Sequence, residues 1–217
     1  MSAADWTAVD DYLVGALQPD DPALAQALAD SDAAGLPKIA VAPNQGKLLM
    51  LLAQSVGARR ILEIGTLGGY STIWLARALP ADGRLVSLEY EAKHAEVARK
   101  NIARAGFGAQ VEVRVGRGVD LLAGVEGPID FSFIDADKAS NPDYFQGALK
   151  LSRPGSLIVV DNVVRQGAAL NPNGDANVQG IRRMFELVAA EPRVSATAVQ
   201  TVGSKGWDGF CLIRVER

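Results

Sequence analysis

Residues 133–138 read FIDADK, an apolar run that ends by placing Asp135, Asp137 and Lys138 close together. A second apolar run, SLIVVDNV over 156–163, ends on Asp161-Asn162. Charged groups stay out of water only when they are paired or bound to a cation, so acids at the ends of two buried segments call for a partner. If the segments are neighbouring parallel strands, Asp135, Asp161 and Asn162 converge at one sheet edge. Two carboxylates and an amide oxygen are hard ligands that suit Mg²⁺, with Mn²⁺ or Ca²⁺ as alternatives, completed by water and substrate. Lys138 follows Asp135 by about one helical turn if a helix begins there, and so can face the same cavity as a general base. The plainer alternative makes Asp137 a helix cap and leaves Lys138 in solvent.

A second constellation lies upstream. LEIGTLGGYSTIWLA (62–76) runs from a strand through glycines into a helix. In an open α/β sheet the ligand sits beyond the carboxyl ends of the strands, where glycine lets the backbone approach it. Gly65, Gly68 and Gly69 are spaced G-x-x-G-G rather than G-x-G-x-x-G, and Glu63 stands where a pyrophosphate would be repelled. The ligand expected is therefore one with a cationic part, not a dinucleotide. Glu89 ends the next strand segment, where a carboxylate can accept both hydroxyls of a ribose.

These residues must be positioned by regular elements. RILEIG (60–65), RLVSLEY (84–90), VEVRV (111–115), IDFSFIDA (129–136) and SLIVVDNV (156–163) are short, apolar and β-branched without long alternation. Such runs suit strands covered on both faces, and the helical patterns between them indicate a doubly wound, mostly parallel α/β sheet. Asp82-Gly83 and Pro154-Gly155 are expected to precede the second and fifth strands, and Gly106 and Gly108 to close a helix. Two last candidates, VSATAVQTV and DGFCLIRVE, are separated by a short loop and are expected to be antiparallel neighbours. Residues 4–56 read as helices broken at Pro19, Pro22, Pro37 and Pro43. The expectation is one domain over 1–217, with a helical extension over about 1–56.

Composition excludes several classes. The 217 residues are 48% hydrophobic and 22% charged, and 22 basic against 25 acidic residues leave a net charge of -3. No overall positive field draws the chain to nucleic acid or anionic membrane. With Cys211 as the only cysteine and His94 as the only histidine, an intrachain disulfide and a Cys/His metal cluster are both excluded. Cys211 is expected to be a core thiol. No basic-apolar leader or membrane-length apolar run is present, so a cytoplasmic location is expected.

VAPNQGKLLMLL, LEIGTLGGYST, VSLEYEAKHAEVARKNI, FIDADK, DNVV and WDGFCLIRV together resemble the cation-dependent, S-adenosylmethionine-using O-methyltransferases, a group that includes catechol and caffeoyl-coenzyme A O-methyltransferases. The resemblance runs from about Ile39 to Phe210 and implies a Rossmann-like class I methyltransferase sheet with an antiparallel C-terminal strand. It implies that Glu63, Gly65, Ser71 and Val41 surround the methionine part of S-adenosylmethionine and that Glu89 holds the ribose. Gly116 to Gly118 would lie beside the adenine. Asp135, Asp161 and Asn162 would be the metal ligands, Asp135 also bordering the cofactor, and Lys138 the catalytic base. The acceptor implied is a small phenol with adjacent oxygens, and the assembly a homodimer.

Some positions depart from the group's pattern. Asn141 stands where many bacterial relatives have tyrosine, Gly155-Ser156 replaces Gly-Gly, and Gly118 replaces a common alanine. TAVQTVGSKGWDG holds no counterpart of the glutamate with which the catechol enzymes bind substrate, so catechol itself is not implied. His94 is expected on an exposed helix face and Trp74 in the core, while Arg165, Asn171 and Trp207 are candidates for selecting the acceptor. Beside a non-catalytic S-adenosylmethionine-binding protein, which the intact Asp135, Lys138, Asp161 and Asn162 oppose, two further readings remain open. One is methylation of a hydroxylated uridine in transfer RNA, for which Lys38, Lys47, Arg165, Arg182 and Arg183 would have to form a basic rim. The other is a nicotinamide-dependent oxidoreductase, which Glu63 and the glycine spacing oppose.

Overall fold

A computed structural model describes residues 3–18 and 20–217. Seven strands form one sheet in the order β3-β2-β1-β4-β5-β7-β6. They are β1 (Arg60–Ile64), β2 (Arg84–Glu89), β3 (Val111–Val115), β4 (Ile129–Ile134), β5 (Ser152–Asp161), β6 (Val194–Gly203) and β7 (Gly206–Val215). All neighbouring pairs from β3 to β5 are parallel, and β7 runs antiparallel to both β5 and β6. The C-terminal strand is thus the one that reverses direction, as expected from the short loop between the last two.

The helices are α1 (Ala3–Leu17), α2 (Pro22–Ala33), α3 (Pro43–Ser55), α4 (Tyr70–Ala76), α5 (Ala92–Arg104), α6 (Gly118–Leu121), α7 (Asn141–Leu151) and α8 (Ala176–Ala190). Pro22 and Pro43 open helices rather than break them, because a first-turn residue has no intrahelical use for its missing N–H. Pro19 lies outside the described residues. No described helix is long and apolar enough to cross a membrane.

Continuous hydrophobicity in the strands follows from cover on both faces. Ile61, Phe131, Phe133, Leu157 and Val159 pack into one apolar cluster with α3, α4 and α5. Leu62, Ile64, Ile134, Ile158 and Val160 pack into another with α7 and α8. Leu24, Ala27, Leu49 and Met50 join the first cluster, so α2 and α3 are built into the core of the sheet domain.

Pro154-Gly155 does not precede β5 but sits inside it. Ile129 pairs with Ser152 and Phe131 with Leu157, so Asp130 faces a bulge over 153–156. Ser156 Oγ pins that bulge by donating to the Ile129 carbonyl at 2.6 Å and accepting the Arg153 N–H at 3.0 Å. The Asp130 carboxylate ties it to the start of β1, accepting from Arg59 N, Arg60 N and Arg153 Nε.

Candidate active site

The strand order reverses between β1 and β4, the point where open α/β sheets leave a crevice at the carboxyl ends of their strands. A cavity of about 1260 Å³ occupies that edge. It is larger than the roughly 300–1000 Å³ usual for a single small ligand, so it has room for two reactants side by side. Val41, Gly65, Ser71, Glu89, Gly118, Asp135, Lys138, Asp161 and Asn162 all line it.

Two of the expected residues do not. Gly116 is outside the lining, although the neighbouring Arg117 and Gly118 belong to it. Glu63 lies beneath the floor with no exposed surface, because β1 directs it into the protein rather than to the crevice. Three hydroxyls donate to it: Ser71 Oγ at 2.6 Å, Thr72 Oγ1 at 2.5 Å and Ser87 Oγ at 2.6 Å. Burial dominates over those bonds and pushes its carboxyl up to about 7.

The glycine turn is shaped by contact. Gly65 has φ +99°, and a Cβ there would fall 2.1 Å from the Asp135 carbonyl oxygen, so the β1 and β4 turns can approach only with glycine at 65. Glu89 holds this turn. Its Oε2 accepts the N–H groups of Thr66 (3.0 Å) and Leu67 (2.8 Å), and its Oε1 accepts that of Glu91 (2.9 Å).

His94 was expected to be exposed but is a half-buried lining residue, with Nδ1 3.4 Å from Glu89 Oε1. The signal was available, since its helical neighbours at i+4, i+7 and i+8 are the buried Ala98, Asn101 and Ile102.

β4 and β5 deliver the acids side by side. Lys138 is not solvated: it is 5% exposed and its Nζ lies 2.7 Å from Asp135 Oδ1. Asp137 provides no side-chain cap, and accepts instead from the Tyr144 hydroxyl at 2.6 Å. Burial, and then the negative charge of Asp135, push the Asp161 carboxyl up to about 7. Two carboxylates and one ammonium leave this buried edge short of positive charge, which a hard divalent cation would supply, so the donor set fits one. The set has only two acids, and among the described residues no group of three or more His, Cys, Asp or Glu side chains could hold a metal. Asn162, whose backbone sits at φ +56°, would add an amide oxygen as a third donor.

Two supports were missed in the sequence. Gln45 Nε2 donates to Asp161 Oδ2 at 2.7 Å across 116 residues of chain. Its signal was the polar Asn44-Gln45 pair opening a helix whose middle, Leu48 to Ala53, is apolar. Asp10 in α1 accepts Asn44 Nδ2 at 2.9 Å and the Ser204 N–H at 2.7 Å, and thereby clasps α1 to α3 and to the β6–β7 turn at the cavity wall.

Of the remaining candidates, Arg165 lines the cavity, while Asn171 and Trp207 do not. Trp74 is core, and burial pushes the Cys211 thiol up to about 11. Asn141 is fully buried outside the lining, with no hydrogen-bond partner for its amide among the described residues. The five cations of the RNA reading do not gather at the cavity, which only Lys38 and Arg165 line. Lys47 lies over the Trp74 ring, Arg182 reaches the Ala169 carbonyl, and Arg183 faces Glu186.

Comparison with known proteins agrees with this geometry. A catechol O-methyltransferase of Mycobacterium tuberculosis is 56% identical over 208 residues, covering 95% of this chain and 94% of that one. One of Niastella koreensis is 52% identical over 213 residues, covering 96% of each. The solved O-methyltransferase of Bacillus cereus in complex with SAH superposes with a TM-score of 0.97 at 57% identity, covering 99% of this chain and all of that one. An O-methyltransferase of Streptomyces achromogenes involved in tomaymycin synthesis, solved with SAM, gives 0.97 at 50% identity with full coverage of both. The O-methyltransferase family model matches residues 18–215, and the chain belongs to that family.

Proposed function

We propose that this S-adenosylmethionine-dependent O-methyltransferase methylates a hydroxyl of a small phenolic acceptor bearing an adjacent oxygen, with the aid of a divalent cation, Mg²⁺ first. The observation that carries the reading is the convergence of Asp135, Lys138, Asp161 and Asn162 on the wall of a cavity large enough for two reactants. Asp135, Asp161 and Asn162 would hold the cation, which supplies Lewis acidity that makes the acceptor hydroxyl easier to ionise.

Lys138 is placed to take the hydroxyl proton as its amine, or to stabilise the oxyanion as its ammonium. The oxygen then attacks the sulfonium methyl in line, the carbon–sulfur bond breaks, and neutral S-adenosylhomocysteine leaves. Charge is neutralised as the new bond forms, so alignment matters most, and well-oriented reactants gain about 7–11 kcal/mol in favourable cases. The Glu89-bound turn and the Asp10 clasp provide that rigidity. We further propose a homodimer, because α1 presents exposed Val9, Tyr12, Leu13 and Leu17.

The test is transfer of labelled methyl from S-adenosylmethionine to a panel of vicinal diphenols, with Mg²⁺ or with chelator, by the unaltered protein and Asp161→Ala. Transfer that needs Mg²⁺ and is lost in the variant is expected. Transfer that persists with chelator would remove the cation from the mechanism. Tight cofactor binding without transfer to any diphenol would remove the phenolic acceptor.

A further inference from the structure

Five cationic side chains line the cavity: Lys38, Arg117, Lys138, Arg165 and Lys205. Three face an acid: Lys38 pairs with Asp32 at 2.7 Å, Arg117 lies 3.8 Å from Asp120, and Lys138 pairs with Asp135. Lys205 reaches the Lys38 carbonyl at 3.4 Å. Among the described residues, Arg165 alone of the five has neither an ion pair nor a side-chain hydrogen bond. The acids of the same wall are engaged elsewhere. Asp10 binds Asn44 and Ser204, Asp161 binds Gln45 and the Asn162 N–H, and Asp208 Oδ1 takes the N–H groups of Val164, Arg165 and Gly209.

An arginine that lines the cavity without an ion-pair partner is poised for an anionic group on a ligand, which its guanidinium can meet with two parallel N–H donors. Its backbone is fixed for that task. Arg165, Gln166 and Gly167 are all left-handed, with φ of +50°, +54° and +83°, a costly run for two non-glycine residues. Asp208 holds the Arg165 N–H at 2.9 Å, and the Gln166 N–H donates to the Trp207 carbonyl at 3.1 Å.

Sheet order indicates which ligand. The turns expected to hold the cofactor follow β1, β2, β3 and β4, whereas Arg165 follows β5 on the side bordered by β7. It therefore lies beyond the Asp135–Asp161 pair as seen from the cofactor turns, on the side left to the acceptor.

We infer that Arg165 selects an acceptor that carries an anionic substituent, a carboxylate in the simplest case, on the ring that bears the adjacent hydroxyls. The inference rests on the phenolic reading above and deepens it.

The experiment measures methyl transfer to 3,4-dihydroxybenzoate and to its neutral methyl ester, with saturating S-adenosylmethionine and Mg²⁺. It compares the unaltered enzyme with Arg165→Gln and Arg165→Lys. The ratio of kcat/KM for acid over ester is expected to fall about tenfold or more in Arg165→Gln through KM for the acid, and to be partly kept in Arg165→Lys. Using the ester as reference separates loss of charge from general damage to the loop. A ratio unchanged by both variants overturns the inference and leaves the phenolic reading standing. Weakened cofactor binding with an unchanged ratio overturns it by assigning the guanidinium to the methionine carboxylate. No transfer to either compound by the unaltered enzyme overturns the phenolic reading and this inference together.

Discussion

Glu63→Gln offers a test of the floor beneath the glycine turn that follows β1. The Glu63 carboxyl sits at about 7 in the folded protein, against an ordinary value of 4.5, because burial outweighs the three hydroxyls that donate to it. A carboxyl raised on folding binds more protons in the native than in the unfolded chain between those two values. Its stabilising contribution is therefore complete below about pH 4.5 and is lost as pH rises through 7. At about 1.36 kcal/mol per unit, the whole loss is of order 3 kcal/mol, of which about 2 kcal/mol falls between about pH 5.5 and 8.5. Glutamine has the shape of the protonated acid and does not titrate, so the variant lacks this slope. The assay is urea unfolding of both proteins in chelator at the two pH values. Asp161, raised in the same direction, then contributes equally to both proteins and cancels in the comparison. The difference between unaltered protein and variant should move by about 2 kcal/mol in favour of the variant at the higher pH. Parallel pH profiles would refute the claim that burial raises the Glu63 carboxyl to about 7.

Gln45→Ala removes the donor to Asp161 Oδ2 without touching a proposed ligand. It should weaken the response to Mg²⁺ by about 10–100-fold while cofactor binding without metal stays near its original strength, as titration calorimetry would show. The α1 face should hold two copies together. Tyr12→Asp with Leu17→Asp is expected to shift sedimentation from dimer to monomer, and a monomeric unaltered protein at micromolar concentration would dismiss that interface.

Much of the sheet was legible because its signals are local. Unbroken apolar runs such as FSFI and LIVV record cover on both faces, and glycine pairs record turns, so β1 to β4 end within two residues of where sequence places them. The β5 bulge was not legible, because Pro154-Gly155 reads equally well as a turn before a strand. Only the pairing of Ile129 with Ser152 and of Phe131 with Leu157 decides between them.

The candidate site divides in the same way. Asp135, Lys138, Asp161 and Asn162 announced themselves because charge at the end of a buried strand is energetically conspicuous within a few residues of chain. Sequence by itself therefore determined the strand ends and the charged and polar groups they carry. Tertiary structure alone decided that Glu63 lies under the floor, that Gln45 reaches Asp161, and that Arg165 is left, among the described residues, without an ion-pair partner. Each of these depends on which distant surface a side chain meets, and hydrophobic pattern along the chain specifies faces rather than partners.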